Sequence, residues 1–283
     1  MTQLLEIAIK ASLEAGKRIM EIYENEDFEV DFKGDDSPLT KADLASHNII
    51  MSYLKDTDIP VLSEEGKHLS YEERKTWKKL WIVDPIDGTK EFIKKNGEFT
   101  VNIALVEDQK PVLGVIYVPA QHELYFASKE IGSYKVKGLI EFSSLEETIK
   151  TAKKLPLTTN HKQQTTNHKP QTTNHKPQTI NNKPYTVVAS KSHLSPETEE
   201  YITSLEKEHG KVETISKGSS LKLCMVAEGT ADQYPRFAPT MEWDTAAGQA
   251  ICKYAGKTVY DYKSQKEMLY NREELLNNWF LVR

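Results

Sequence analysis

The chain has 283 residues, a length that fits one large domain or two closely joined halves. A net charge of −5 argues against a broad basic surface for polymeric nucleic acid, and no apolar run reaches the length of a membrane span. The two cysteines, Cys224 and Cys252, form neither a disulfide framework nor a zinc motif. We therefore expect buried free thiols and a cytoplasmic protein, either free or peripheral to the inner face of the membrane.

The first half of the chain mixes apolar runs of helical and strand periodicity. In chain order, the predicted elements are helices over 4–22 and 42–55 and strands over 59–63, 80–83, 99–106, 112–118 and 124–127. The strand over 80–83 should end at Asp84. Because 99–106 and 112–118 are joined by a short polar segment, we expect them to pair antiparallel.

A low-complexity segment separates this half from the rest of the chain. TTNHKQQ, TTNHKPQ, TTNHKPQ and TINNKP are near copies at a period of seven residues, over 158–184. A coiled coil would need apolar residues at two positions of each heptad, and these repeats have none. With nothing to bury, the segment is predicted to be a disordered linker or insertion.

The second half returns to globular patterning. The predicted elements are strands over 185–189 and 279–282 and helices over 196–208, 219–228 and 243–254. Strands and helices with long antiparallel runs favour a layered fold over a helical bundle. We predict an N-terminal α+β half over 1–150, the repeat-containing insertion over 151–184 and a C-terminal half over 185–283 that completes the active site.

The strongest motif is Asp84-Pro-Ile-Asp-Gly-Thr89, which follows the predicted strand over 80–83. Two carboxylates three residues apart at a strand end can point the same way, and their repulsion would keep one protonated in the absence of a cation. Mg²⁺ accepts oxygen ligands of this kind. The motif therefore indicates a site for divalent cations rather than a turn that only caps a helix at Thr89.

Two further acidic segments strengthen this interpretation. Glu64-Glu65 follows the predicted strand over 59–63, and Asp244 lies at the start of the helix predicted over 243–254. Taken alone, the first pair would be exposed charge and Asp244 an acid that favours a helix N-terminus. Together with the hexapeptide they predict one shared cation site.

Three segments carry a family resemblance. Ser63-Glu-Glu65, Asp84–Thr89 and Trp243-Asp-Thr-Ala-Ala-Gly248 resemble, in this order, the signatures of the inositol monophosphatase superfamily, over all of the chain except residues 150–184. The resemblance implies a layered αβαβα sandwich of the α+β class, with two or three Mg²⁺ ions as cofactor. The implied metal ligands are the side chains of Glu64, Asp84, Asp87 and Asp244 and the backbone carbonyl of Ile86.

The same resemblance implies a mechanism. Asp43 and Thr89 would activate and orient the attacking water, and the backbone N–H groups of Gly88 and Thr89 would bind phosphate oxygens. A metal-bound water would attack phosphorus in line, while a second ion offsets charge on the leaving alkoxide. The implied reaction is hydrolysis of a phosphomonoester without a covalent enzyme intermediate.

The segment from Gly218 to Gly248 indicates the substrate class. It is very similar to the corresponding stretch of the 3′(2′),5′-bisphosphate nucleotidases of CysQ type. The resemblance implies removal of the 3′-phosphate of adenosine 3′,5′-bisphosphate, a by-product of sulfate activation, to give AMP, and it implies inhibition by lithium. The implied substrate contacts, besides Gly88 and Thr89, are His193, Ser219, Lys222, Arg236 and Asp244.

Two alternatives stay open. One is an inositol monophosphatase or another sugar-phosphate phosphatase of the same superfamily, which would not need the cations Lys222 and Arg236. The other, less favoured, is a non-catalytic protein that binds metal or nucleotide and works through its repeats. As partners we expect a small-molecule nucleotide, no polymeric nucleic acid, no integral membrane segment, and a monomer or homodimer.

Overall fold

The computed structural model describes residues 1–25, 30–32, 38–67, 69–157, 184–189 and 195–283. The repeats, except for Pro184, and the predicted substrate contact His193 lie outside these residues. The helices are α1 (Thr2–Tyr23), α2 (Lys41–Leu54), α3 (Tyr71–Arg74), α4 (Thr89–Ile93), α5 (Leu145–Thr151), α6 (Pro196–His209), α7 (Leu221–Glu228) and α8 (Glu242–Tyr254). The strands are β1 (Val30–Phe32), β2 (Pro38–Thr40), β3 (Val61–Ser63), β4 (Lys79–Asp87), β5 (Thr100–Glu107), β6 (Lys110–Val118), β7 (Glu123–Ser128), β8 (Gly132–Lys137), β9 (Lys153–Lys154), β10 (Tyr185–Ala189), β11 (Val212–Ser216), β12 (Tyr234–Arg236), β13 (Val259–Asp261) and β14 (Phe280–Val282).

A seven-stranded sheet in the order β3-β4-β5-β6-β7-β8-β9 forms the centre of the described structure. β3 and β4 are parallel, and every other neighbouring pair in this sheet is antiparallel. The predicted pairing of the strands now called β5 and β6 is confirmed, as is their extension by β7. β8 and β9 were not predicted, because their polar side chains hide the strand pattern.

Each face of this sheet buries a separate apolar core. Alternate residues of β5 supply both cores, since successive side chains of a strand point to opposite faces. Val101 and Ile103 pack toward α1 and α2, whereas Ala104 and Val106 pack toward α7 and α8. All four side chains are fully buried. Cys224 and Cys252 are buried as free thiols in the core on the side of α7 and α8, as predicted.

Smaller strands and another helix complete the layers. β12, β14 and β13 form a three-stranded antiparallel sheet, and β10 pairs with β11 in parallel. A bridge between Val187 and Gln233 links the two small sheets. α7 contacts β10 and β12, and α6 packs on β11 and β12 as the outermost helix. The predicted layered αβαβα fold is confirmed.

The helix α8 lies unusually close to the central sheet at Gly114. A Cβ atom added to Gly114 would lie 2.4 Å from the carbonyl oxygen of Ala247 and 2.8 Å from the Cβ of Ala250. Both distances are shorter than a van der Waals contact, so only glycine permits this approach. The absence of a side chain at Gly114 therefore sets how closely the backbone of α8 can approach β6.

The prediction that the strand before the acidic motif ends at Asp84 was wrong. β4 continues to Asp87, with a register shift in which Asp84 pairs with Asn102 and Asp87 pairs with Thr100. Two residues of β4, Pro85 and Ile86, therefore lie opposite one residue of β5, Val101, which is the geometry of a β-bulge. Without the extra residue, side chains three positions apart would point to opposite faces of the sheet.

Candidate active site

The bulge in β4 places two acidic side chains on the same face of the central sheet. Asp84 is 2% exposed, and its Oδ1 accepts a hydrogen bond of 3.0 Å from the backbone N–H of Ile86. Asp87 Oδ2 accepts hydrogen bonds from the backbone N–H of Ser220 at 2.5 Å and from the side-chain amide of Asn102 at 3.4 Å. Both carboxylates are therefore fixed by the local backbone and by the neighbouring strand.

Two other elements bring the remaining predicted acids to this face. The backbone N–H of Glu64, directly after β3, donates to the carbonyl of Val83 at 3.1 Å. Asp244 lies in the first turn of α8, where its Oδ2 accepts a 2.8 Å hydrogen bond from the backbone N–H of Met241. Glu64 also hydrogen-bonds to Asp84 through its side chain.

The electrostatics are those of crowded, desolvated carboxylates. Burial, followed by repulsion from Glu64, Asp87 and Asp244, raises the pKa of Asp84 well above its usual range. Burial and the charge of Asp87 raise the pKa of Asp244 to about 8. The pKa of Asp87 is raised to about 6, chiefly by burial and against the opposing effect of Lys222. The structure thus brings Glu64, Asp84, Asp87 and Asp244 within electrostatic range of one another.

This donor set suits a hard divalent cation. All four side chains offer carboxylate oxygens, and an ion would supply the positive charge that their ionised forms lack. Within the described ranges, no three His, Cys, Asp or Glu side chains already surround a common point at ligand distance. Several of the oxygens accept backbone N–H hydrogen bonds instead, so binding an ion requires local adjustment of these side chains.

A hydroxyl–carboxylate pair stands beside the acids. Thr89 Oγ1 lies 3.2 Å from Asp43 Oδ1 and 3.4 Å from the carbonyl oxygen of Ile86. Asp43 Oδ2 accepts hydrogen bonds from the backbone N–H and the hydroxyl of Thr40, at 2.8 and 2.6 Å. Burial is the main cause that raises the pKa of Asp43. Asp43 and Thr89 therefore meet, as the sequence resemblance implied.

A cavity of about 470 Å³ opens next to the acids, and residues of both halves of the chain line it. The predicted contacts Gly88, Ser219, Lys222, Arg236 and Asp244 are all in its wall. The prediction of a helix from Ser219 was wrong, because α7 begins at Leu221 and Ser219 has a φ of 43°. Ser219 and Lys222 nevertheless reach the same cavity.

Lys222 is a desolvated cation in this wall. Its residue is 7% exposed, and its Nζ donates to the carbonyl oxygens of Lys217 and Ser219 at 3.1 and 2.7 Å. Burial lowers its pKa to about 8, although the nearby Asp87 carboxylate acts in the opposite direction. Two of the three ammonium protons are thus donated to backbone carbonyls, and these bonds fix the position of the charged group in the cavity wall.

Unsatisfied polar atoms concentrate in the same wall. In the part of the chain that the structure describes, five buried side-chain nitrogen or oxygen atoms have no hydrogen-bond partner. Three of them, Ser216 Oγ, Ser219 Oγ and Arg236 Nε, belong to residues that line this cavity. Unpaired buried polar groups cost free energy unless a ligand satisfies them. The sequence reasoning missed Ser216, whose position at the end of β11 before Gly218 is a recognisable loop signal.

Comparison with known proteins agrees with this geometry. The sequence profile of the inositol monophosphatase family matches residues 1–281. A protein of Salmonella typhimurium named 3′(2′),5′-bisphosphate nucleotidase CysQ is 41% identical over 282 residues, which are 99% of each chain. The protein of the same name from Escherichia coli K12 is 39% identical over the same extent.

Solved structures agree as well. The crystal structure of CysQ from Bacteroides thetaiotaomicron, a bacterial member of the inositol monophosphatase family, superposes with a TM-score of 0.84 at 50% identity, covering 100% of this chain and 97% of that one. Among the described helices, none is long and apolar enough to cross a membrane. The predicted phosphatase class and the resemblance to CysQ-type proteins are confirmed. The chain belongs to the inositol monophosphatase family.

Proposed function

We propose that this protein is a Mg²⁺-dependent phosphatase that hydrolyses the 3′-phosphate of adenosine 3′,5′-bisphosphate to give AMP and inorganic phosphate. One observation carries the substrate assignment: the cavity beside the acids contains a buried lysine and three unsatisfied buried polar atoms. A second phosphate group has the charge and the acceptor oxygens that such a wall requires. The names of the full-length relatives support the same substrate class.

The acids would hold the cofactor. Glu64, Asp84, Asp87 and Asp244, with the carbonyl of Ile86, fit Mg²⁺ by donor type. The raised pKa values of Asp84, Asp87 and Asp244 are those expected of buried carboxylates that a cation would stabilise. Bound Mg²⁺ would neutralise the phosphate's charge and make a coordinated water more acidic. This assignment would also explain sensitivity to lithium, which the family resemblance implies.

The chain's own residues would then orient the reaction. Asp43 fixes the Thr89 hydroxyl, which leaves the oxygen lone pairs of Thr89 able to accept a hydrogen bond from the attacking water. The backbone N–H groups of Gly88 and Thr89 would bind oxygens of the reacting phosphate. Ser219, Lys222 and Arg236 would bind the 5′-phosphate, so that binding energy remote from the reacting bond positions the substrate.

A phosphate-release assay with purified protein tests the proposal. The substrates are adenosine 3′,5′-bisphosphate, its 5′-phosphosulfate analogue and inositol 1-phosphate, each measured with Mg²⁺, without Mg²⁺ and with added Li⁺. We expect kcat/KM to be highest for the two nucleotides, and turnover to require Mg²⁺ and fall with Li⁺. Equal or higher kcat/KM for inositol 1-phosphate would favour the sugar-phosphatase alternative.

Two matched variants exclude a contaminating phosphatase. Asp87→Asn removes one charge from the acids and should depress kcat by about 10²-fold or more. Asp108→Asn makes the same change at an exposed turn between β5 and β6 and should leave kcat unchanged. Near-normal turnover by Asp87→Asn would contradict the proposed mechanism.

A further inference from the structure

A row of polar side chains on β5 and the segment before it has no role in the mechanism described so far, and its first member, Glu98, lines the cavity. Glu98, Thr100 and Asn102 stand at alternate positions, so they share one face of the strand and its lead-in. The residues between them, Phe99 and Val101, are fully buried in the opposite apolar core. We call Glu98, Thr100 and Asn102 the β5 polar row.

Two members of the row form a closed triangle with the start of α7. Thr100 Oγ1, Asn102 Oδ1 and Ser220 Oγ lie 2.8 to 3.0 Å from one another. These three residues are at most 2% exposed. The Thr100 and Ser220 hydroxyls supply two protons to these three contacts, so two of the contacts are hydrogen bonds at any one time. Breaking either bond leaves a desolvated group without a partner.

The triangle is attached directly to one of the acids. Both Asn102 Nδ2 and the backbone N–H of Ser220 donate to the same carboxylate oxygen, Asp87 Oδ2. Thr100 is also the register partner of Asp87 across the β-bulge. A movement of the Asp87 carboxylate would therefore break or displace the hydrogen bond to Ser220, which follows Ser219 in the cavity wall.

The outer member of the row holds the same loop at its other end. The Glu98 carboxylate accepts hydrogen bonds from the backbone N–H of Gly218 at 2.8 Å and from Lys217 Nζ at 3.0 Å. A Cβ atom on Gly218 would lie 2.9 Å from the Glu98 carbonyl oxygen, so the two backbones are in close contact. The loop Lys217–Ser220 is thus bound at one end to Glu98, which precedes β5, and at the other end to Thr100 and Asn102 of β5.

From this geometry we infer that Thr100 and Asn102 are positioning residues that couple ion binding at Asp87 to nucleotide binding by the loop Lys217–Ser220. The inference rests on the proposed function, since it takes Asp87 as a metal ligand and Ser219 and Lys222 as contacts of the 5′-phosphate. An ion that fixes the Asp87 carboxylate would also fix Ser220 and hence its neighbour Ser219. Coupling of this kind is reciprocal, so each ligand should tighten the binding of the other.

AMP is a suitable probe, because it carries the 5′-phosphate and is not hydrolysed by the proposed reaction. Titration calorimetry gives its Kd with Mg²⁺ and after removal of Mg²⁺ by chelation. In the unmodified protein we expect Mg²⁺ to tighten AMP binding by about fivefold or more. Thr100→Val replaces the hydroxyl with a methyl group of similar size and should reduce this factor to nearly one.

Thr100→Ser is the matched control, because it keeps the hydroxyl and should keep the Mg²⁺ effect on AMP binding. Ser220→Ala opens the triangle from the other side and should resemble Thr100→Val, and the double variant should lose no more than either one alone. Ser220→Ala decides the matter if Thr100→Val does not fold. Thermal unfolding of each variant separates lost coupling from general destabilisation.

The possible results differ for the two proposals. The positioning role would be overturned if Thr100→Val or Ser220→Ala left the Mg²⁺ effect on AMP binding unchanged. It would also be overturned if the unmodified protein showed no Mg²⁺ effect, or if Thr100→Ser lost that effect. Failure of the unmodified protein to release phosphate from adenosine 3′,5′-bisphosphate would instead overturn the proposed function. Since AMP binding is measured without turnover, the test of coupling does not depend on the phosphate-release assay.

Discussion

Thr89 Oγ1 lies 3.2 Å from Asp43 Oδ1, so a residue at the start of α4 is hydrogen-bonded to one in the first turn of α2. The other carboxylate oxygen of Asp43 is already held by Thr40. Because Asp43 cannot turn without losing these bonds, it fixes the direction in which the Thr89 hydroxyl donates. The lone pairs of the Thr89 oxygen are then left to accept a hydrogen bond.

Replacement of this hydroxyl should impair catalysis and spare the ion site. Thr89→Val keeps the shape of the side chain, and we expect kcat to fall by about 10²- to 10⁴-fold, the range for loss of proton-transfer assistance. Thr89→Ser keeps the hydroxyl and should retain most of the activity. The Mg²⁺ concentration for half-maximal activity should change little in both variants. Equal loss of kcat in the Val and Ser variants would contradict the assigned role, because only the Ser variant keeps the hydroxyl.

The two cations in the cavity wall should discriminate between substrates. Lys222→Ala or Arg236→Ala should raise KM for adenosine 3′,5′-bisphosphate by roughly 10- to 100-fold, because a charged hydrogen bond to the 5′-phosphate is lost. KM for inositol 1-phosphate should change far less. Lys207→Ala, at an exposed lysine of α6, is the control for a simple change in net charge. Equal effects on both substrates would argue against a nucleotide-binding role.

The stability of the ion-free protein should depend on pH in a defined direction. Asp244 and Asp87 have pKa values raised to about 8 and about 6 in the folded chain, above their ordinary value of 3.8. At a pH between 3.8 and the raised pKa of each group, the folded state holds a proton that the unfolded state has released. The contribution of these two groups to the free energy of unfolding should therefore be fully present below about pH 4 and be lost as pH rises toward 8.

Thermal unfolding of chelator-treated protein between pH 5 and pH 8.5 measures this dependence. Tm should fall with rising pH, and the fall should be smaller with Mg²⁺, since the ion offsets the charge of the ionised carboxylates. Asp244→Asn should flatten the slope in the absence of Mg²⁺, because Asn does not titrate. A Tm that rises over this range in the ion-free protein would contradict the assigned pKa directions.

A buried ion pair away from the cavity provides a stability prediction with an internal control. Lys135 Nζ lies 2.8 Å from Glu123 and 2.6 Å from Glu228, and all three side chains are at most 11% exposed. Lys137 binds the same Glu123 at 2.6 Å, but its side chain is 71% exposed. The two lysines therefore share a partner and differ in burial.

Lys135→Met should destabilise the fold by about 3–5 kcal/mol, because the buried Glu228 loses its cation and Glu123 keeps only that of the exposed Lys137. Lys137→Met should have only a small effect, as is usual for exposed pairs. Urea unfolding measures both, and kcat of the folded variants should be unchanged. Comparable losses of stability in the two variants would mean that burial does not determine how much the ion pairs of Lys135 contribute to the free energy of unfolding.

The repeat segment separates the enzyme from the non-catalytic alternative. Replacing residues 158–183 with a short Gly/Ser linker should leave kcat/KM within about threefold, because the entropic cost of joining two chain ends changes slowly with the length of the connection. The described residues of the cavity wall and of the acids all lie outside this segment. Loss of activity with an unchanged Tm would indicate that the repeats take part in turnover.

The local elements and the acidic motifs could be predicted from the sequence because they depend on short-range patterns. Apolar periodicity predicted α1, α2 and the pairing of β5 with β6. The hexapeptide Asp84–Thr89, together with Glu64 and Asp244, predicted residues that the structure brings into electrostatic range. Their roles in binding metal remain predictions that the variants above address.

The features that were missed depend on long-range geometry. The bulge between Asp84 and Asp87 exists only in relation to the register of β5, which no local pattern specifies. The alternation of Glu98, Thr100 and Asn102 was visible as a strand period, but its partner Ser220 lies more than a hundred residues away. The sequence places Ser216 next to a loop at Gly218, but the burial of its hydroxyl without a hydrogen-bond partner appears only in the structure.

The close approach of α8 to β6 at Gly114 has a consequence for how such an enzyme diversifies. Asp244 is carried on α8, while Asp84 is carried on the sheet, so the spacing between them is set partly by the bulk of a side chain at position 114. Among the described residues, position 114 is not part of the cavity wall. If the acids bind Mg²⁺ as proposed, a substitution at this interior position would alter the preference for ionic radius, and mutational libraries confined to the binding surface would overlook it.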